Sequence, residues 1–181
     1  MDDAKKSEPN DPNAVSLATS NNNFPSVRMV LLKDFSQNGF IFYTNLNSQK
    51  GNELKENPKA AMCFHWKSLL RQIRINGVVT QVADDVADKY YNSRSYESRI
   101  GAWASKQSKE LTSRGQLIDS IKEYKDKYND ENNVPRPSHW SGWILSPLSI
   151  EFWLDGDGRI HERLKYVKDR NGQWIKSLLS P

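Results

Sequence analysis

Cysteine is almost absent: the 181 residues contain one, Cys63, so no intrachain disulfide can form and a disulfide-stapled secreted scaffold is excluded. Long apolar runs are missing too, and none approaches the roughly 20 residues that a membrane-spanning helix needs. The opening residues, Met1-Asp2-Asp3-Ala4-Lys5-Lys6, lack the apolar core of a secretory signal. Together these absences lead to the expectation of a soluble, cytoplasmic protein. There is no concentrated basic block either. The formal charge is +4 and the pI about 9.1, but acids and bases are interspersed, so a small anionic ligand fits better than a nucleic acid.

What the chain does contain is a series of short apolar runs punctuated by turn residues. Residues 1–13 form a polar lead expected to be mobile, and residues 14–181 are long enough for one domain with its own core. Strands are expected at Ala14–Thr19, Arg28–Lys33, Phe40–Asn45, Ala60–Trp66 and Leu69–Val82. The second and third of these should pair as a hairpin through Gln37-Asn38-Gly39, and the five should form a meander. A helical insert at about 84–128 follows, with one helix through about Asn92 and a long charged one from about Lys109 to Tyr128. Strands resume at Gly142–Leu145, Ile150–Leu154, Arg159–Lys168 and Gln173–Leu178, with hairpin turns at Asp155-Gly156-Asp157-Gly158 and Asp169-Arg170-Asn171-Gly172. The class is therefore mainly β with α; the resemblance given below makes it a β-barrel plus helices.

Several polar residues sit where such strands and helices do not need them. Ser48 precedes Gln49-Lys50-Gly51-Asn52-Glu53-Leu54 as an N-cap, so free backbone N–H groups and the Lys50 ammonium should face one spot suited to a phosphate monoester. Arg28 and Lys33 bracket a strand, where charges commonly just mark the solvent boundary. Five residues apart, they point to opposite faces, and both serve ligands only if two anionic groups are bound. Tyr90, Arg94 and Ser98 recur at helical spacing as a second phosphate cradle, or as an ordinary amphipathic face with a snorkelling Arg. Gln72 is a polar residue amid apolar strands, facing solvent or a ligand. Alternation over 159–163 would put Arg159, His161 and Arg163 on one face, a crowding of cations that calls for an anion or carboxylate between them.

These pieces resemble the pyridoxine (pyridoxamine) 5′-phosphate oxidases, flavoproteins of the FMN-binding split-barrel fold. The resemblance runs from about Ala14 to Pro181. It rests on Arg28-Met29-Val30-Leu31-Leu32-Lys33, Phe42-Tyr43-Thr44-Asn45, Ser48-Gln49-Lys50, Arg71-Gln72, Ile100-Gly101-Ala102-Trp103 with Ser105-Lys106-Gln107-Ser108, Ile150-Glu151-Phe152-Trp153 and Arg159-Ile160-His161-Glu162-Arg163. It implies FMN-dependent oxidation of pyridoxamine and pyridoxine 5′-phosphates to pyridoxal 5′-phosphate by O2, with H2O2 released, in a homodimer holding FMN at the interface. Carried over by motif, the FMN ligands would be residues 28–33 (Arg28, Met29, Val30, Leu31, Leu32, Lys33), Tyr43, Thr44, Gln49, Lys50 and Gln72. Gln107, Ser108, Trp153 and Arg163 would join them from the other chain or the far wall.

The same resemblance implies that Lys33, Tyr90, Arg94 and Ser98 hold the substrate phosphate, and that Arg159 and His161 orient and polarise the substrate ring. It calls for no metal, nucleic acid or membrane. Where the family usually has Arg, this chain has Gln49, and Trp140-Ser141-Gly142 replaces its Trp-Gly-Gly. The same fold also hosts flavin reductases and proteins that bind flavin or haem without B6 oxidation, and a non-catalytic pyridoxal phosphate-binding protein would need the same phosphate ligands but no flavin.

Overall fold

Asn22 and Asn23 both adopt left-handed backbone, with φ of 48° and 64°, the conformation a two-residue type I′ turn requires. They join β1 (Ala14–Asn21) to β2 (Phe24–Leu31) in unbroken antiparallel register, with Ala14 opposite Leu31 and Asn21 opposite Phe24. This corrects the expected hairpin: the strand carrying Arg28 pairs with the strand before it. The hairpin at Gln37-Asn38 is instead the small one between β3 (Asp34–Ser36) and β4 (Gly39–Asn45), and Lys33 still reaches β4 through its N–H to the Ile41 carbonyl.

The computed structural model describes residues 1–181. After β4 come α2 (Gln49–Glu56), β5 (Lys59–Trp66) and β6 (Arg71–Gln81), then α3 (Asp84–Asn92), α4 (Tyr96–Ala104) and α5 (Arg114–Lys127). The chain closes with β7 (Trp140–Leu154), β8 (Glu162–Lys168) and β9 (Trp174–Leu178). The sheet order is β2-β1-β5-β6-β7-β4-β3, with β8 on β7 and β9 on β8. The expected five-strand meander is thus broken by β7, which returns across the sheet to lie between β6 and β4. No helix is long and apolar enough to cross a membrane.

Residues 142–145 and 150–154, expected as separate strands, form one 15-residue strand. Pro147 has no N–H for the ladder, but it lies opposite Gly77, where the register shifts between Asn76 and Gly77, so the bulge absorbs the missing bond. A Cβ on Gly77 would stand 2.2 Å from the Ser146 carbonyl oxygen, which is why glycine is required at that approach. The expected start of a strand at Arg159 is also corrected. Residues 157–159 form a 3-10 turn, Arg159 has a φ of 65°, and β8 begins at Glu162.

Alternating side chains of β1, β4, β5, β6 and β7 meet in one core, where Leu17, Phe42, Met62, Ile75 and Leu145 are all but fully buried. Burying each contributes about 1.5–3 kcal/mol. The polar lead belongs to this packing. Residues 2–7 form α1 (Asp2–Ser7), whose Ala4 is completely buried. Asp3 pairs with Arg71 at 2.9 Å, the Glu8 carboxylate accepts from the Ser68 N–H at 2.9 Å, and Trp66 donates its indole N–H to Pro12 at 2.8 Å.

Candidate active site

Ser48 caps α2 by accepting from the Gly51 N–H, leaving the helix N-terminus and Lys50 beside the end of β4. The Lys50 ammonium lies 3.1 Å from Thr44 Oγ1 and 3.0 Å from Gln107 Oε1. Burial depresses its pKa, the Arg28 charge adds to that depression, and Glu53 opposes it. A partly desolvated cation beside a helix N-terminus is an anion site by construction.

Lys50 and Thr44 open onto a cavity of about 720 Å³, within the roughly 300–1,000 Å³ typical of small-molecule sites. Met29, Val30, Leu31, Lys33, Tyr43, Tyr90, Arg94, Ser98, Gln107 and Trp140 also line it. The trio Tyr90, Arg94 and Ser98 converges even though α3 stops at Asn92, because Ser95 caps a new helix and its hydroxyl meets that of Ser98 at 2.9 Å. Tyr43 stacks on Tyr90 with ring centroids 3.9 Å apart and on Trp140 at 5.3 Å. Burial raises the Tyr43 pKa, with smaller contributions from Tyr90 and Asp34, so its hydroxyl stays protonated.

The Arg94 guanidinium lies 4.8 Å from the Trp140 ring centroid, and its buried Nη1 has no hydrogen-bond partner in the chain. Burial lowers its proton affinity and Tyr90 and Tyr91 partly restore it, but a guanidinium stays charged. A buried charge without a counterion is costly unless a ligand supplies one. The residues present therefore fit a phosphorylated ligand.

Other expected ligands stand elsewhere. Arg28 turns away from this cavity, donating to Thr19, to Ser26 at 2.7 Å and to Glu53 at 3.0 Å. Gln49 donates to the same carboxylate at 2.8 Å. Leu32 is a core residue, 4 % exposed, with its backbone tied to Asn13. Gln107 stands on the cavity wall of its own chain, and Ser108, at a φ of 69°, is not part of the lining.

Gln72, Trp153, His161 and Arg163 gather in a second, mainly apolar cavity of about 720 Å³ that shares no lining residue with the first. Met1, Leu178 and Leu179 help to wall it. The His161 ring lies 4.6 Å from that of Trp153, and its Nδ1 is 2.9 Å from Asp155. Arg163 is held by Glu151 at 2.8 Å and by the Ser180 carbonyl at 2.9 Å. Arg159 lines neither cavity. Its left-handed backbone is uncommon for a residue with a side chain, and such conformations concentrate at functional sites.

Sequence reasoning missed Glu53, Trp140, Glu151 and Asp155. The partners of Arg28 and Arg163 are long-range in sequence, and no local spacing betrays them. The i, i+4 offset of Gln49 and Glu53 was a usable signal.

Phe24, Val27, Met29, Ile160, Ile175 and Leu178 are exposed apolar side chains. The chain exposes 11678 Å², whereas a compact monomer of 20.9 kDa exposes about 9,000 Å². Surplus of that order matches what one protomer of an extensive dimer conceals.

Fold and site together define a split β-barrel protein with two basic clusters in one cavity and an exposed apolar face suited to a second copy. Residues 1–128 match the family model described as pyridoxamine 5′-phosphate oxidase, and residues 140–181 match that of the pyridoxine 5′-phosphate oxidase C-terminal dimerisation region. The chain belongs to the pyridoxamine 5′-phosphate oxidase family, and the dimerisation region supports a homodimer.

The pyridoxine/pyridoxamine 5′-phosphate oxidase of Pelagibacter ubique is 72% identical over 182 residues, covering 100% of this chain and 88% of that protein. The oxidase of the same name from Allorhizobium ampelinum is 55% identical over 183 residues, with coverages of 100% and 88%. Among solved structures, PhzG from Burkholderia lata, in complex with tetrahydrophenazine-1-carboxylic acid, superposes with a TM-score of 0.90 at 31% identity, covering 99% of this chain and 86% of that one. An FMN-binding protein from Nostoc punctiforme shares the fold, with a TM-score of 0.74 at 16% identity and coverages of 93% and 88%.

Proposed function

We propose that this chain is an FMN-dependent oxidase that converts pyridoxamine 5′-phosphate and pyridoxine 5′-phosphate to pyridoxal 5′-phosphate, with O2 as acceptor and H2O2 as product. Family membership and the named relatives support the activity and the cofactor. The observation that carries the substrate class is the partly buried Arg94 guanidinium, whose enclosed Nη1 has no partner, in a cavity with Lys33, Tyr90 and Ser98. That cluster is distinct from the helix N-terminus and Lys50, so two phosphates are accommodated, one for FMN and one for substrate.

When bound, FMN supplies the hydride acceptor for C4′ of the substrate and the route for electrons to O2. The chain supplies position and charge. Lys50, the α2 N-terminus and Thr44 hold the cofactor phosphate, with Arg28 and Gln49 behind them through Glu53. Lys33, Tyr90, Arg94 and Ser98 fix the substrate phosphate, and the tethered ring gains its rate from orientation. Gln72, Trp153, Arg163 and His161 act from the second cavity, which the dimer partner presents to the first, and Arg159 acts from the turn that leads into His161. FMN accordingly lies at the interface, in a cytoplasmic homodimer.

The fold also carries flavin reductases and non-catalytic binders, so the reaction needs its own test. Oxygen consumption by the yellow holoenzyme with pyridoxamine phosphate or pyridoxine phosphate is the expected result. A colourless protein that does not take up FMN, or a flavoprotein inert toward both substrates, would remove this reading.

A further inference from the structure

His161 is delivered by a turn that has little freedom. β7 ends at Leu154, and the next residue, Asp155, donates its N–H to the Leu70 carbonyl at 2.9 Å. A Cβ on Gly156 would stand 2.2 Å from the Ile160 carbonyl oxygen, so the chain doubles back in contact with itself there. The Ile160 N–H closes on Asp157 at 3.1 Å, and Arg159 completes the turn with its left-handed backbone. The imidazole is thereby folded onto the carboxylate that begins the turn, with Asp155 Oδ1 2.9 Å from His161 Nδ1.

The Gly156 N–H also approaches His161 Nδ1, at 3.3 Å. A neutral imidazole nitrogen cannot donate to the carboxylate and accept from the amide at once. An ionised carboxylate only accepts, and its contact is the shorter and charge-assisted one, so in the neutral ring Nδ1 carries the hydrogen and Nε2 keeps the lone pair.

We propose that Asp155 is a positioning residue that fixes His161 as the Nδ1–H tautomer, so that Nε2 meets the substrate as a hydrogen-bond acceptor. This rests on the reading above that His161 faces the substrate. The chemistry favours an acceptor. Oxidation of the C4′ alcohol or amine takes a hydride from carbon to the flavin and a proton from the attached oxygen or nitrogen. An O–H or N–H donor at C4′ is therefore matched by a lone pair on Nε2 and opposed by a hydrogen there. The ring packing on Trp153 holds the plane in which that lone pair lies.

The test compares the wild-type holoenzyme with D155N and D155E, each labelled with 15N-histidine. The chain has three histidines, and the His161 signals are identified by their loss in H161N. The wild type is expected to show a protonated Nδ1 and an unprotonated Nε2. In D155N the side-chain amide can donate to Nδ1, so the hydrogen should move to Nε2, with kcat falling on the order of tenfold or more. FMN affinity, read by flavin fluorescence, should change by less than about twofold, because no phosphate ligand is altered. D155E should keep the wild-type tautomer and most of the rate.

A wild-type His161 protonated at Nε2 would overturn the proposal. So would a D155N enzyme whose tautomer changes while kcat does not, or whose kcat falls while the tautomer stays. The underlying site reading fails separately: unchanged kcat and KM in H161N would show that the ring does not meet substrate, whatever its tautomer.

Discussion

Replacing Arg94 with Leu separates a ligand role from a structural one, because the two predict opposite effects on stability. In the free chain Arg94 Nη1 is buried without a partner, and burial is the largest influence lowering the affinity of the group for its proton. Leucine removes that desolvation cost and leaves no polar atom unsatisfied, at the loss of the cation–π contacts to Trp140 and, at the longer 5.9 Å, to Tyr91, together about 0.5–2 kcal/mol. The substrate-free melting temperature should therefore hold steady or rise. The substrate phosphate loses a charge-assisted hydrogen bond of about 1.5–3 kcal/mol, so kcat/KM should drop by roughly ten- to a hundredfold or slightly more. FMN affinity should barely move, since the cofactor phosphate belongs to Lys50 and α2. Steady-state oxygen uptake, flavin fluorescence titration and thermal melting check the three arms. A variant that melts well below wild type, or loses flavin affinity as fast as substrate affinity, refutes the assignment of two separate phosphate sites.

Burial opposes ionisation of Glu53, but hydrogen bonds from Thr19, Ser26, Gln49 and Arg28 overcome it and hold the carboxyl to a pKa of about 2, well below the ordinary 4.5. A depressed carboxyl pKa stabilises the fold above the unfolded value, so acid titration should show stability lost as pH falls from about 4.5 toward 2; E53Q should flatten that limb, and an unchanged acid profile would count against the network. Q49R should tighten FMN by about 1 kcal/mol at low salt and less as salt rises, read by fluorescence titration; equal dissociation constants at low salt would show the new guanidinium spending its charge on Glu53. Sedimentation should find a dimer holding FMN, and a monomer with tight stoichiometric flavin would sink the two-chain site.

Local chemistry was readable in the sequence wherever a few neighbouring residues decide it. The Ser48 cap needs only the hydroxyl and the N–H three residues on, and the 169–172 turn needs only Asp169 and Gly172. The trio of Tyr90, Arg94 and Ser98 was legible for a reason partly different from the one used. Helical spacing does not persist through Ser93 and Ser95, but two short helices meeting at that break still bring the three side chains to one cavity. The pairing of β2 was misread because an apolar strand is compatible with either neighbour. Only the φ > 0 propensity of Asn22 and Asn23 favours the earlier one. The 15-residue β7 was hidden by Pro147, since a proline is disqualifying in a central strand unless a bulge faces it, and that bulge lies 70 residues away at Gly77. The early polar residues misled in the same way. Ala4 is the one small apolar contact that docks α1, too little for a periodic signal.

The carboxylates Glu53, Glu151 and Asp155 share a role that no motif scan reveals. Each is bound to a cation or imidazole that the family resemblance assigns to ligand: Glu53 to Arg28, Glu151 to Arg163 and Asp155 to His161. Long basic side chains left without such a partner would sample many rotamers and repel one another. A carboxylate behind each one fixes its direction and offsets its charge, so that less ordering remains to be done when ligand arrives. Arg94 is the exception, with Trp140 rather than an acid behind it. Its Nη1 is buried without any hydrogen-bond partner, which sets it apart even from Lys50, an unpaired cation that Thr44 and Gln107 do contact. Sensitivity to the ligand's charge should accordingly concentrate there: losing Arg94 should cost substrate binding directly, whereas losing Glu53, Glu151 or Asp155 should act through the orientation of the residue each one holds.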